Sequence, residues 1–205
     1  YIVKGLGNTL LITLLAVTIG IILGFIIAII RTGYDRNGEL PILNAICKVY
    51  LTVMRGTPVM IQLLIIYYVI LASATNKIMV AAIAFGLNSA AYVAEIVRSG
   101  IHAIDPGQRE AAKALGMPWH LEMLRIVAPQ ATKICILPLV NQFIATIKNT
   151  SILSAITLTE LTREGTLIAY NSFHYFEPYI AVAVLYLILT TIFTQIAGVL
   201  ERRMA

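Results

Sequence analysis

Apolar residues run almost unbroken from about Asn8 to Ile30, with LLITLLAVTIGIILGFIIAII at the centre and no charged side chain. A run of this length is what crossing a ~30 Å hydrocarbon core requires. It exceeds the roughly 7 to 15 apolar residues of a signal peptide, so the pattern predicts an anchoring helix over 8–30. The polar stretch from Arg31 to Leu40 is expected to end it. The next apolar stretch, Ile42 to Ala72, is too long for one upright helix and is interrupted by Arg55, Gly56, Thr57 and Pro58. It divides into an interfacial or tilted first half and a span over 57–73. Two readings of the interruption stand side by side: a kinked helix with Arg55 snorkelling to the interface, or a helix broken where it lines a path for solute.

A third span over 78–98 carries Ala82, Gly86, Ala90 and Ala94 at four-residue spacing. Small residues on one face let helix backbones approach closely, so this helix is expected at the centre of a bundle. Glu95 and Arg98 at its end are expected to form an interfacial ion pair. A fourth span over 134–152 contains Pro138 and runs into the polar cluster Lys148, Asn149, Thr150 and Ser151. The amphipathic segment Ile152 to Leu167 follows, holding Glu160, Arg163 and Glu164; it reads as an external loop or as half of a broken helix facing a cavity. Phe173, Tyr175 and Phe176 resemble an interfacial aromatic belt ahead of the last span, 179–200.

Between the third and fourth spans lies a polar island, DPGQREAAKALGMPWHLEMLRIVAP, from Asp105 to Pro129. Asp105 reads as an N-cap, Pro106 as the first helical residue and Gln108 as the partner in a capping box. Gly116 is placed to end this short helix in a left-handed conformation before Pro118 starts another. Arg109, Glu110 and Lys113 charge one side, while Ala111, Ala112, Ala114 and Leu115 keep the rest small or apolar, a shape suited to docking another protein.

Composition agrees with a membrane chain: 59% of the 205 residues are hydrophobic and 12% charged, far from the quarter charged of soluble domains. The net charge of +5 therefore calls for no nucleic acid as partner. Basic residues of membrane proteins gather in cytoplasmic loops. With five spans and an outside N-terminus, eleven Lys and Arg fall on the inner side, Lys4, Lys77 and Arg163 on the outer side, and Lys148 is undecided. The C-terminus and the polar island are then cytoplasmic. Cys47 and Cys135 have no metal or disulfide spacing and read as buried and reduced. No phosphate loop, HExxH or nucleophile elbow is present, so neither ATP binding by this chain nor an intramembrane enzyme is expected.

Glu110, Ala111, Ala112, Gly116, Ile126 and Pro129 resemble the EAA loop of ABC importer permeases, with Ala128 where the family has leucine. RGTPVMIQL (Arg55 to Leu63), AAYVAEIVRSGI (Ala90 to Ile101) and KNTSILSAITLTEL (Lys148 to Leu161) are similar to the polar amino-acid branch of that family. The resemblance covers nearly the whole chain. It implies an all-α, five-span type I permease fold over a single domain, 1–205, with a cytoplasmic coupling loop over 101–130, in the bacterial inner (plasma) membrane. It also implies a second permease subunit, identical or a close paralogue, and an extracytoplasmic solute-binding protein. Two separate ATP-binding subunits would hold ATP and Mg and dock on Arg109, Glu110, Ala111, Ala112, Lys113, Leu115 and Gly116; this chain would carry no cofactor and no metal. The ligand implied is a polar, basic amino acid, with an opine, cystine, glutamine or glutamate as alternatives. A transporter driven by ion gradients is the competing class, though the chain has no internal repeat of the kind such proteins often show.

Ionisable or polar groups beside helix breaks are the candidates for contact with such a ligand. Glu160 is assigned to its cationic group, the backbone or hydroxyls near Thr57 and Ser151 to its carboxylate, and Met54 to an apolar wall; Arg55, Gly56 and Asn149 complete the candidate set. The competing reading pairs Glu160 with Arg163 on an exposed helix face.

Overall fold

The computed structural model describes residues 2–204; Tyr1 and Ala205, the two ends of the expected domain, lie outside the described residues, as do the side chains of Leu200, Arg203 and Met204. Every regular element among the described residues is helical. They are α1 (Ile2–Asn37), α2 (Pro41–Gly56), α3 (Val59–Ile65, widening into a π-helical turn over Ile66–Ile70), α4 (Lys77–His102), α5 (Pro106–Ala114), α6 (Trp119–Glu122), α7 (Ala128–Asn149), α8 (Leu161–Ser172) and α9 (Phe176–Met204). A π-helical turn over Met123–Val127 joins α6 to α7, and a 3-10 segment over Thr150–Ile156 follows α7.

By length and apolarity four stretches suffice to cross a membrane: Ile2–Asn37, Lys77–His102, Trp119–Ile156 and Phe176–Val199. A fifth candidate is the pair Pro41–Gly56 and Val59–Ile70, bent by 112°. Within the expected second span, 57–73, the helix runs over Val59–Ile70. Pro58 is extended (φ −63°, ψ 133°) and starts the helix only at Val59. Twelve residues at 1.5 Å reach about 18 Å, short of a full crossing. The stretch 31–40 also departs from the expected loop: α1 stays helical to Asn37 and turns at Gly38 (φ 70°) and Leu40 (φ 53°). Its last turn is held by Asp35, whose Oδ2 lies 2.9 Å from Arg98 and 3.4 Å from His102 Nε2 on α4.

The centre of the molecule is the seam between α1 and α4. Ala16, Gly20, Gly24 and Ala28 of α1 are buried at four-residue spacing, and the small residues expected on the third span, Ala82, Gly86, Ala90 and Ala94, are all buried on α4. The approach requires glycine. A Cβ built on Gly20 would lie 2.7 Å from Ser89 Oγ, and one on Gly24 2.6 Å from Val93 Cγ1. Close van der Waals packing of this kind is what associates helices in lipid, where burial of apolar surface supplies no drive. A larger apolar core, including Ile12, Leu63, Phe85, Leu153 and Ile156, joins α1, α3, α4 and the segment after α7. Cys47 and Cys135 are free and buried.

Candidate functional site

The break between α2 and α3 is held by one buried amide. Gln62 Nε2 donates toward Met54 O (2.9 Å), the carbonyl that Pro58 leaves without a helical partner, and toward Thr57 O (3.0 Å) and Thr57 Oγ1 (2.8 Å). Its Oε1 accepts from Asn88 Nδ2 of α4 at 2.9 Å. Both amides are 6% exposed. Backbone that is not helical survives at membrane depth only when its polar groups are satisfied or face a cavity, and here both hold. A cavity of about 400 Å³ opens beside the break, lined by Thr57, Pro58 and Val59, by Asn88 and Tyr92 of α4, and by Gln142, Ala145 and Asn149 of α7. Its volume lies in the range of small-molecule sites, and its polar groups are hydroxyls and amides set among apolar ones.

Of the expected ligand residues, the structure brings Thr57 and Asn149 together at this cavity, from segments some ninety positions apart. Met54 contributes its carbonyl to the Gln62 cluster. Gly56 is the last residue of α2. Arg55 turns elsewhere: Nη1 lies 3.3 Å from Glu95 Oε2, and the pair lines a second cavity. Glu95 also approaches Arg98 at 3.7 Å, so the expected interfacial pair exists as part of a longer chain of charges. Ser151 donates to Lys148 O at 2.8 Å within its own chain segment.

The structure places Glu160 at the start of α8, outside the lining of the cavity at the helix break. Its side chain is fully buried and caps α8, with Oε1 accepting from Arg163 N–H at 2.7 Å and Oε2 from Thr162 N–H at 2.8 Å. Tyr186 of α9 donates to Oε2 at 3.1 Å. The first turn of α8 thus consumes the carboxylate, leaving no oxygen directed at the cavity. The neighbouring backbone is tied to α1 through Asn8 Nδ2, 2.6 Å from Thr159 O, and Thr9 Oγ1, 3.2 Å from Leu161 N. The exposed-face pairing of Glu160 with Arg163 is equally absent among the described residues.

Gln62, Asn88, Tyr92 and Gln142 are the site residues that sequence reasoning passed over. The signal was legible for the amides: a carboxamide inside an apolar run has no water to bond and must find a protein partner.

The polar island folds as two short helices. Asp105 Oδ1 caps α5 through Gly107 N–H at 2.7 Å. At the other end Gly116 is left-handed (φ 70°), with Gly116 N–H donating to Lys113 O at 2.9 Å and Met117 N–H to Ala112 O at 3.0 Å, the paired bonds of a Schellman turn. The expected docking set divides into two. Ala112 is 2% exposed, and Arg109 reaches back to Glu122, itself 2% exposed, at 2.9 Å. These two fasten the knob to the chain, while Glu110, Ala111, Lys113, Leu115 and Gly116 face outward, Leu115 at 84% exposure.

A knob outside an apolar bundle, with a polar cavity at a broken helix within it, is the plan of a transport subunit. The family model for the binding-protein-dependent transport system inner membrane component matches residues 16–205. The chain belongs to this family. It is similar to a glutamine transport system permease protein of Rickettsia conorii, 37% identical over all of this chain and 93% of that one. An arginine transport system permease protein of Bacillus subtilis is 36% identical over all of this chain and 92% of its own. The crystal structure of an amino acid ABC transporter with histidines superposes with a TM-score of 0.91 at 38% identity, covering 98% of this chain and 93% of that one. The fold is therefore that of a type I ABC importer permease. As a member of this family the chain is a multi-pass membrane subunit, and the permease is not itself an enzyme.

Proposed function

We propose that this permease carries polar amino acids, basic ones first, across the inner membrane as one of two permease subunits of an ATP-driven importer. The observation that carries the reading is the cavity at the break between α2 and α3, rimmed by Thr57, Asn88, Gln142 and Asn149 within otherwise apolar spans. An amino acid brings a carboxylate and an ammonium that lose water on entering the bilayer, and hydroxyls and amides offer both donors and acceptors to replace it. Thr57 and Asn149 are assigned to the ligand directly, with Met54 and Gly56 shaping the wall beside them. The similarity to an arginine transport permease supports a basic ligand.

In this reading a solute-binding protein delivers the ligand on the side of the N-terminus. Two ATP-binding subunits, which hold ATP and Mg, dock on the outward face of α5. Their approach on binding ATP moves the two knobs together and switches access by rigid-body rotation.

A second ligand has its own support. No carboxylate lines the cavity, and three carboxamides do, which suits a glutamine side chain and agrees with the similarity to a glutamine permease. Uptake by the assembled transporter in proteoliposomes, with radiolabelled arginine, histidine, glutamine and a panel of other amino acids, decides between them. We expect ATP-dependent uptake with a basic amino acid ahead of glutamine. Glutamine alone would select the second ligand, and uptake driven by an ion gradient without ATP would overturn both.

A further inference from the structure

Tyr92 lines two cavities. The upper one is the cavity of about 400 Å³ at the helix break; the lower, of about 380 Å³, holds Arg55, Glu95 and Ser99 and extends to Ala103. On α4 the residues lining these cavities include Asn88, Tyr92, Glu95 and Ser99, spaced by three or four and so on one helix face. On α7, running the other way, Asn149, Ala145, Gln142, Pro138 and Ile134 do the same. Both cavities are lined by α4 and α7, and Tyr92 is the residue of α4 that they share.

We propose that the Tyr92 ring is the barrier between the two chambers, closing the ligand cavity toward the cytoplasm, and that ligand leaves through the lower chamber past the Arg55 and Glu95 pair. The inference rests on the reading of the upper cavity as the ligand site. Tyr92 has the largest side chain at the junction and is 37% exposed. Its hydroxyl has no hydrogen-bond partner among the described residues, so turning the ring aside breaks no bond to another side chain or to the backbone. The opposite wall is suited to movement. Pro138 sits inside α7, and its missing N–H frees the carbonyl of Ile134, one turn earlier, from the helical ladder. A proline at this position lets α7 bend. Below the ring, Glu95 and Arg55 offer charges of both signs to a zwitterion. The pair is partly exposed, at 28% and 44% for the two side chains, so it can exchange partners with a passing ligand.

Thiol accessibility tests the barrier without any ligand. Ser99→Cys marks the lower chamber and Ala145→Cys the upper one, in sealed membrane vesicles holding the complete transporter; the native Cys47 and Cys135 are buried, and the parent protein gives their background. The face from which an impermeant maleimide labels Ser99→Cys is used for every comparison, so an inverted orientation leaves the test intact. From that face, Ala145→Cys should label slowly beside Tyr92 and at least tenfold faster beside Tyr92→Ala. Tyr92→Phe should keep the slow rate and Tyr92→Leu should fall between. Equal rates across the series, at constant labelling of Ser99→Cys and constant co-purification of the ATPase, would overturn the barrier. Should Tyr92→Ala lose the ATPase, Tyr92→Leu carries the comparison. A transporter that takes up some other solute leaves the labelling result standing and fails the uptake test alone.

Discussion

Glu160 illustrates how an ionisable residue inside a membrane chain is used up by structure. Its two oxygens satisfy the orphan N–H groups of the first turn of α8, and an amide cannot do the same, since its nitrogen would meet a backbone donor. Losing such a cap costs about 0.5 to 2 kcal/mol. Glu160→Gln should therefore lower the melting temperature of the purified complex by a few degrees while the KM for a cationic amino acid stays within about twofold, because the cavity proposed for the ligand lies elsewhere. A tenfold rise in KM at an unchanged melting temperature would return Glu160 to the ligand. The residue type and its neighbourhood to a helix break were legible in the chain, but the choice between capping and binding was not. It depends on Tyr186 and on the contacts of Asn8 and Thr9, more than 150 positions away along the sequence. The place of Thr57 and Asn149 beside breaks in the helices was legible, since local punctuation by Pro58 and by the polar cluster after Ile147 marks both. The partner of Arg55 was not legible, because an arginine beside a helix break looks the same in sequence whether or not it pairs with Glu95 on another helix.

At the scale of elements, the turn between α5 and α6 sets the angle at which the knob is presented. Gly116 holds φ at 70° with open space where a Cβ would stand, so the obstacle to any other residue is backbone conformation and not crowding. Valine in a left-handed conformation costs about 1 to 2 kcal/mol, and the cheapest relief is to unwind the Schellman turn and swing α6. Gly116→Val should insert and retain its spans yet co-purify with less than half the normal amount of ATPase and lose uptake in proportion. A variant that binds the ATPase at the normal ratio would remove the turn from the docking surface. The helix ends here were readable from Asp105, Pro106 and Gly116, because caps are local chemistry. The end of the first helix was not: Arg31 to Asn37 reads as polar loop, and it is helical because Arg98 and His102, far along the chain, take hold of Asp35.

Across the whole molecule the charges separate by end. Arg36 stacks over Trp119 at 4.8 Å, and Arg55 and Arg98 meet Glu95 and Asp35, which draws α1, α2, α4 and the knob into one basic end. At the other end Lys77 donates to Ile156 O and Thr157 Oγ1, beside the start of α8. If the basic end is cytoplasmic, cysteine at Asn37 should be shielded from an impermeant thiol reagent in intact cells and cysteine at Ser73 should react. Ser73 is chosen over the nearby Asn76 because Asn76 caps α4 through Met79 N–H. Labelling at Asn37 alone would invert the orientation and remove the knob from the compartment of the ATPase. The glycine seam between α1 and α4 also sets a timetable for biogenesis. Gly20 must meet Ser89, and about seventy residues separate them; at a synthesis rate of about 5 to 20 residues per second, α1 waits in the bilayer for roughly 4 to 14 seconds before its partner arrives. Throughout that interval the first helix is kept in lipid by its uncharged apolar run from Asn8 to Ile30, with a face of Ala16, Gly20, Gly24 and Ala28 held open for a helix not yet made.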